Sequence, residues 1–148
     1  MDLIKMVQIN NTDTYAYVKD TTGKIYELKF NANFNGPFMI TAGHKRTFIH
    51  PEWITPGTKM IAARNGYIYI AYKNQVFRYN PLNQQVNVLQ TEVKSAISLL
   101  KLEDDENTLI AGTAGTLYYL AIQVGKNGEL VKKIDGIPGE PVDMTWRK

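Results

Sequence analysis

The apolar and polar positions of this chain repeat as one unit three times along the sequence. Each unit is a short apolar segment, a tight turn, and a second segment that carries an aromatic residue. The three copies are residues 15–28, 70–79 and 110–120, with turns at Gly23, Asn74 and Gly115. Short apolar segments bounded by turn formers indicate β-strands, and self-similarity at a spacing of roughly 20–50 residues indicates a repeat architecture. The pattern therefore predicts an all-β repeat protein.

Two further strand-like segments flank each copy, which gives four antiparallel strands per repeat. The predicted strands are 3–9, 15–19, 24–30 and 38–40, then 60–63, 67–72, 76–79 and 86–89, then 97–102, 109–113, 117–124 and 130–134. Asn65-Gly66 and Asn127-Gly128 predict hairpin tips with a positive φ at glycine, and the type I′ turn is the form that Asn-Gly favours. The segment that most resembles a helix, 93–102, lacks a strong periodic apolar stripe and aligns with the first strand of the other repeats. We therefore predict a strand there.

We predict a single all-β domain over residues 1–148, with repeats at approximately 1–44, 58–90 and 95–135 and an extra strand at 141–146. The first residues lack the basic and apolar segments of a signal peptide. No stretch approaches the ~18 apolar residues of a membrane-spanning helix. We therefore expect a cytoplasmic protein or a component of a particle.

Two segments carry a resemblance to a known architecture. Residues 109–118, Leu-Ile-Ala-Gly-Thr-Ala-Gly-Thr-Leu-Tyr, are similar to the core of regulator-type β-propeller repeats. Residues 76–81, Val-Phe-Arg-Tyr-Asn-Pro, look like the strand and polar turn that follow in the same families. The chain thus resembles the β-propeller repeat superfamily, and the resemblance implies three four-stranded blades. A β-trefoil, which also has twelve strands in about this length, and another barrel or sandwich are the alternatives.

Three blades do not close a ring, since propellers typically have about 4–8. We expect apolar faces to be exposed at both ends of the array, in residues of 3–9 at one end and of 117–122 at the other. The predicted interface residues near the second end are Val142, Met144 and Trp146. Such patches favour association. Two chains would complete a ring head to tail, or the chain would be part of a longer propeller.

Candidate chemistry is sparse. His44, His50 and Glu52 have a spacing that matches no helical or hairpin pattern of zinc ligands. The acidic run 104–106 lacks the alternate ligands and central glycine of a calcium loop. The sequence contains no cysteine, no glycine-rich phosphate loop and no G-x-S-x-G element. We therefore expect a protein that is not an enzyme and has no metal or cofactor.

The link between the first and second repeats, residues 41–59, is longer than its counterpart and gathers basic and aromatic side chains. The binding candidates in it are His44, Lys45, Arg46, His50 and Trp53. Loops on a rigid β scaffold carry binding residues, and Trp and Arg are frequent energetic anchors of interfaces. The alternative is that Phe48, Ile49 and Trp53 form an extra strand or a plug over strand edges.

These observations favour a non-enzymatic binding or assembly module whose partner is another protein or a second copy. A small carbohydrate-binding lectin is the alternative, although Trp53 and Trp146 occupy non-equivalent positions of the repeat. A structural component of a virus or phage particle is a third hypothesis. Nucleic acid is not an expected partner, because the 17 basic and 14 acidic side chains are interspersed and the basic pairs are short.

Overall fold

The computed structural model describes residues 2–8, 13–31, 39–48, 50–55 and 57–136, and the regular secondary structure of this part of the chain is almost entirely β-strand. Its strands are β1 (Asp2–Gln8), β2 (Asp13–Lys19), β3 (Ile25–Asn31), β4 (Met39–Thr47), β5 (Lys59–Ala62), β6 (Ile68–Tyr72), β7 (Gln75–Asn80), β8 (Gln85–Val88), β9 (Leu99–Leu102), β10 (Thr108–Thr113), β11 (Thr116–Ala121) and β12 (Glu129–Asp135). A short 3₁₀ turn, Pro51–Trp53, lies between β4 and β5. The all-β prediction is confirmed.

The strands form three antiparallel sheets of four, each in the order of the sequence. Sheet 1 holds β1–β4, sheet 2 holds β5–β8 and sheet 3 holds β9–β12. The predicted repeating unit forms the central hairpin of each sheet, namely β2–β3, β6–β7 and β10–β11. Among the described residues no strand pairs with a strand of another sheet. This part of the chain therefore lacks the pairing between repeats that closes the barrel of a β-trefoil.

The predicted strand boundaries agree with the structure to within a few residues, apart from the fourth strand. The sequence predicts the fourth strand over 38–40, but β4 runs to Thr47 because its second half continues to pair with β3. The sequence predicts a strand from residue 97, but β9 begins at Leu99. The preceding segment is held by tertiary contacts, since Val93 is buried and Asn74 Nδ2 donates to its carbonyl at 3.2 Å.

Two glycines lie at hairpin tips with the positive φ that the sequence predicts. Gly66, between β5 and β6, has φ +97°, and Gly128, between β11 and β12, has φ +96°. In the first tip φ is positive at the glycine but not at Asn65. The Ala63 amide donates to the Tyr67 carbonyl at 2.8 Å and closes a three-residue loop. The type I′ form is therefore wrong for this tip, which places glycine alone in the left-handed region.

The described residues fall into two compact units. The first consists of the residues up to Thr58 together with Arg64–Gly66, and the second consists of Lys59–Ala63 and the residues from Tyr67 onward. Sheet 1 belongs to the first unit, where Ala16, Val18 and Leu28 form an apolar cluster. Sheets 2 and 3 belong to the second unit.

Sheets 2 and 3 pack together within the second unit through one apolar core. Its buried members are Ala63, Tyr69, Ala71, Val76, Leu89, Val93, Leu100, Leu102, Leu109, Ala111, Leu120 and Ile122. A second cluster on sheet 3 contains Leu99, Ile110, Leu117 and Tyr119. Burial of each large aliphatic side chain contributes about 1.5–3 kcal/mol, so this packing is the main source of stability in the unit.

The expectation that residues 117–122 are exposed at the end of the array is wrong. Leu117 and Tyr119 are each 7% exposed, and Leu120 has no exposed surface. Alternate residues of β11 belong to two different clusters of buried side chains, so both faces of sheet 3 are covered in a single chain. The other predicted interface residues, Val142, Met144 and Trp146, lie outside the described residues.

The outer strands β1 and β12 both carry exposed large apolar side chains, which on β12 are Leu130, Val131 and Ile134. The expectation of apolar exposure is confirmed on β1, where Leu3 is 57% and Met6 is 50% exposed. All seven residues of β12 are exposed, and its pairing with β11 shifts register between Tyr119 and Leu120. Within the described part of the chain, β1 pairs with β2 alone and β12 with β11 alone.

Candidate functional site

The five candidate binding residues lie on β4 and on the segment that follows it. His44, Lys45 and Arg46 are consecutive on β4. His50 immediately precedes the 3₁₀ turn, and Trp53 is its last residue. The side chains of His44 and Lys45 lie outside the described part of the structure. The site is therefore built from Arg46, His50, Trp53 and their neighbours.

Arg46 is one end of a row of polar side chains that crosses sheet 1. In the register of the strands, Tyr17 on β2 faces Glu27 on β3, and Glu27 faces Arg46 on β4. The Arg46 guanidinium contacts Glu27 Oε1 from Nε at 2.8 Å and from Nη2 at 2.6 Å. The Tyr17 hydroxyl donates to Glu27 Oε2 at 2.8 Å. Both carboxylate oxygens therefore accept hydrogen bonds.

The burial of this row is uneven. The Glu27 side chain has no exposed surface, whereas the Arg46 side chain is 27% exposed. An ionised carboxylate inside a protein requires a cation and hydrogen bonds, because loss of hydration disfavours the charge. Arg46 supplies the cation, and Tyr17 supplies a further hydrogen bond. The guanidinium of Arg46 is thus directed at a structural partner within the sheet.

An aromatic cluster adjoins the polar row. The Phe48 ring lies edge-on to Tyr17 with centroids 5.1 Å apart, and edge-on to Trp53 with centroids 6.3 Å apart. The His50 ring stacks on Trp53 with centroids 4.0 Å apart and an interplanar angle of 12°. Aromatic pairs of this kind contribute roughly 0.5–1.5 kcal/mol beyond their buried area. Trp53 is 4% exposed, so its ring belongs to the interior of the unit.

Backbone hydrogen bonds hold the segment that carries this cluster. The Phe48 amide donates to the Ile25 carbonyl at 2.9 Å and continues the pairing of β4 with β3. The Trp53 amide donates to the His50 carbonyl at 3.1 Å, and Thr58 Oγ1 donates to the Trp53 carbonyl. The described residues of the long link therefore form a packed element with its own hydrogen bonds.

The more exposed part of the cluster is the pair His50 and Glu52. His50 Nδ1 lies 3.4 Å from Glu52 Oε1, and the two side chains are 35% and 50% exposed. An exposed pair of this kind contributes about 0–1 kcal/mol. The described residues contain no group of three His, Asp or Glu side chains placed to hold a metal ion.

A second polar cluster, centred on Arg78 of β7, was not predicted. Arg78 Nε donates to the Tyr69 hydroxyl at 3.1 Å, and the guanidinium carbon lies 5.5 and 5.6 Å from the ring centroids of Tyr69 and Tyr67. Arg78 Nη2 donates to the carbonyls of Ile122 at 3.2 Å and Lys126 at 3.4 Å. Burial raises the pKa of the Tyr69 hydroxyl, and the bond and charge of Arg78 oppose that rise. Arg78 thus joins sheet 2 to the hairpin that follows β11.

A polar groove on the second unit was not predicted either. It encloses about 400 Å³ and is lined by Glu92, Lys94, Tyr118 and Lys133. Tyr118 on β11 faces Lys133 on β12, whereas Glu92 and Lys94 lie on the segment before β9. The order of the strands brings these residues together, and no local sequence pattern links them.

In the described part of the chain, no helix is long and apolar enough to cross a membrane. No protein-family model matches this sequence, and no curated protein is significantly similar to it.

Proposed function

We propose that this chain is a non-enzymatic binding or assembly module whose three sheets are the blades of a β-propeller-like array. Each sheet is a four-stranded antiparallel meander, which is the form of a propeller blade. Sheets 2 and 3 pack together through an apolar core, as neighbouring blades do. In such arrays the fold supplies surfaces, and the function depends on what those surfaces contact.

The observation that carries the proposal is the exposed apolar surface of β1. Leu3 and Met6 are at least half exposed, on a strand at the edge of its sheet. An edge strand offers unpaired backbone groups, and apolar side chains beside them favour pairing with another chain. We therefore propose that a second copy of this chain docks along β1.

The carbohydrate-binding alternative has less support from the aromatic residues. A sugar-binding tryptophan presents an open ring face, whereas Trp53 is nearly buried and is stacked on His50. The Arg46 guanidinium already contacts Glu27. The candidates of the long link therefore contribute more to the interior of the first unit than to an open sugar site.

Light scattering after gel filtration tests the association. The wild type should form dimers or larger species as its concentration rises, and Leu3→Asp with Met6→Asp should remain monomeric. Leu82→Asp is the control, because Leu82 is 78% exposed on the turn between β7 and β8. This variant should associate like the wild type. A wild type that stays monomeric at high concentration, or equal association of all three proteins, would overturn the proposal.

A further inference from the structure

The polar groove of the second unit lies between two different parts of the chain. One wall is the segment before β9, in which Val93 is 4% exposed and its neighbours Glu92 and Lys94 are exposed. The other wall is β12, where Lys133 faces Tyr118 of β11. Because Val93 is buried in the core shared by sheets 2 and 3, its two charged neighbours are held at the edge of the groove.

Hydrogen bonds fix both walls. Asn74 Nδ2 donates to the Val93 carbonyl at 3.2 Å. At the hairpin between β11 and β12, the Gln90 amide donates to the Asn127 carbonyl at 2.8 Å, and Asn127 Nδ2 contacts the Val88 carbonyl at 3.4 Å. The two walls are therefore tied to one another outside the groove, and its backbone is organised before any ligand enters.

The polar groups that line the groove do not satisfy one another. Within the described residues, the side chains of Glu92, Lys94 and Tyr118 make no hydrogen bond or ion pair. Lys133 Nζ lies 3.8 Å from Asp135 Oδ2, and both of these side chains are well exposed. Two ammonium groups and a phenol hydroxyl thus face the same space as a single carboxylate.

We propose that this groove binds an anionic group, a carboxylate or a phosphate, through Lys94, Lys133 and the Tyr118 hydroxyl. Among the lining residues the two lysines outnumber Glu92, and the contact of Lys133 with Asp135 is exposed and weak enough for a bound anion to displace it. Lysine acts as a point charge toward either kind of anion. Glu92 weakens the attraction and accepts a hydrogen bond from a hydroxyl or amine on the same ligand. This inference does not depend on docking along β1.

Nuclear magnetic resonance on the isotope-labelled chain tests the site with two anions. Inorganic phosphate and glucuronate represent the two chemistries, and methyl glucoside is the neutral control. The amide signals that move should cluster at residues 92–94, 118 and 133. Since exposed ion pairs are weak, we expect a Kd of roughly 1–10 mM. The anion with the lower Kd identifies the phosphate or the carboxylate as the ligand group.

Charge variants separate this site from general attraction to lysines. Lys94→Gln with Lys133→Gln should weaken binding roughly tenfold or more, whereas Lys24→Gln with Lys126→Gln removes the same charge elsewhere and should leave it unchanged. Glu92→Gln should tighten binding by roughly twofold to fivefold, an effect that loss of structure would not produce. Shifts scattered over many lysines, equal loss in both double variants, or no saturation with either anion would overturn the proposal.

Discussion

Glu27 in sheet 1 and Arg78 in sheet 2 occupy the same position of the repeat, yet they carry opposite charges. Both lie on the third strand of their sheet, and each faces a tyrosine of the second strand, Tyr17 or Tyr69. Glu27 accepts a hydrogen bond from its tyrosine at 2.8 Å, and Arg78 donates one to its tyrosine at 3.1 Å. The first two copies keep a charged side chain beside a buried tyrosine, although the sign of the charge differs, whereas in the third copy Tyr119 faces Ile110.

The second partners of these two residues lie in different places. Glu27 contacts Arg46 on the next strand of the same sheet. Arg78 contacts the carbonyls of Ile122 and Lys126, at the end of β11 and in the hairpin that follows it. One position of the repeat thus stabilises a single sheet in the first copy and joins two sheets in the second. The comparison shows that a charged side chain at the same position in two copies makes its second contact within one sheet in the first copy and with another sheet in the second.

The largest loss of stability is expected when the buried Glu27 loses its cation. Arg46→Met removes the ion pair that this arginine makes with Glu27, whose carboxylate has no exposed surface. The change should lower the free energy of unfolding by about 3–5 kcal/mol. Glu27→Gln combined with Arg46→Met should recover much of the loss, because a neutral amide needs no cation and still accepts from Tyr17. Urea denaturation measures both proteins. Equal losses would show that Arg46 does not act through the charge of Glu27.

A substitution of Gly128, in the hairpin that Arg78 contacts, should destabilise the chain more than the same substitution of Gly66. An added Cβ there would lie 3.1 Å from Leu89 Cβ and 3.2 Å from Thr91 Cγ2, whereas none of the neighbouring atoms lies within 4 Å of a Cβ at Gly66. Both glycines have a positive φ, so either change to alanine should cost about 1 kcal/mol in backbone strain. Gly128→Ala should cost roughly 1–2 kcal/mol more, because the hairpin must move away from the preceding segment. Equal melting temperatures for the two variants would contradict this packing.

Replacement of Arg78 should lower the free energy of unfolding less than replacement of Arg46. Arg78→Met removes hydrogen bonds to neutral groups and leaves no buried charge, so it should destabilise the chain by about 1–2 kcal/mol. Hydrogen exchange should also become faster at the amides of residues 122–128, because the hairpin loses its link to sheet 2. Arg78→Lys is the control for charge, and it should restore little of the protection because lysine lacks the guanidinium fork. Unchanged exchange in Arg78→Met would refute the link between the sheets.

The smallest effect concerns alkaline pH. Burial raises the pKa of Tyr69 above its ordinary value of 10.0, so the folded chain holds this proton more tightly than the unfolded chain. The contribution of this protonated hydroxyl to the free energy of unfolding is fully present below about pH 10. It is lost as the pH rises through the pKa that Tyr69 has in the folded chain. Tyr69→Phe should therefore show a shallower decline in urea midpoint above about pH 10 than the wild type. Parallel pH profiles would show that Tyr69 is not responsible.

The sheets were predictable because their signals are local. The alternation in β2–β3, β6–β7 and β10–β11 and the turn residues between the strands specify each central hairpin without reference to the rest of the chain. Gly66 and Gly128 likewise mark their hairpin tips, although the turn type at Gly66 follows from the closing hydrogen bond.

The candidate site was only partly predictable, because exposure depends on packing at long range. Arg46 and Trp53 were identified as a cation and an aromatic of the long link. Their orientation depends on Glu27 and Phe48, and nothing in the local sequence gives these contacts. The polar groove shows the same limit, since residues 92–94 meet residues 118 and 133 only after sheet 3 has formed.

The register shift in β12 has a consequence for fibre formation. Lys132 pairs with Tyr119 and Leu130 pairs with Leu120, so Val131 is an extra residue that breaks the regular ladder. An incoming strand would meet this bulge and the ammonium groups of Lys132 and Lys133, and both features oppose edge-to-edge stacking. With β12 protected in this way, this strand would not extend an association through β1 into a cross-β polymer.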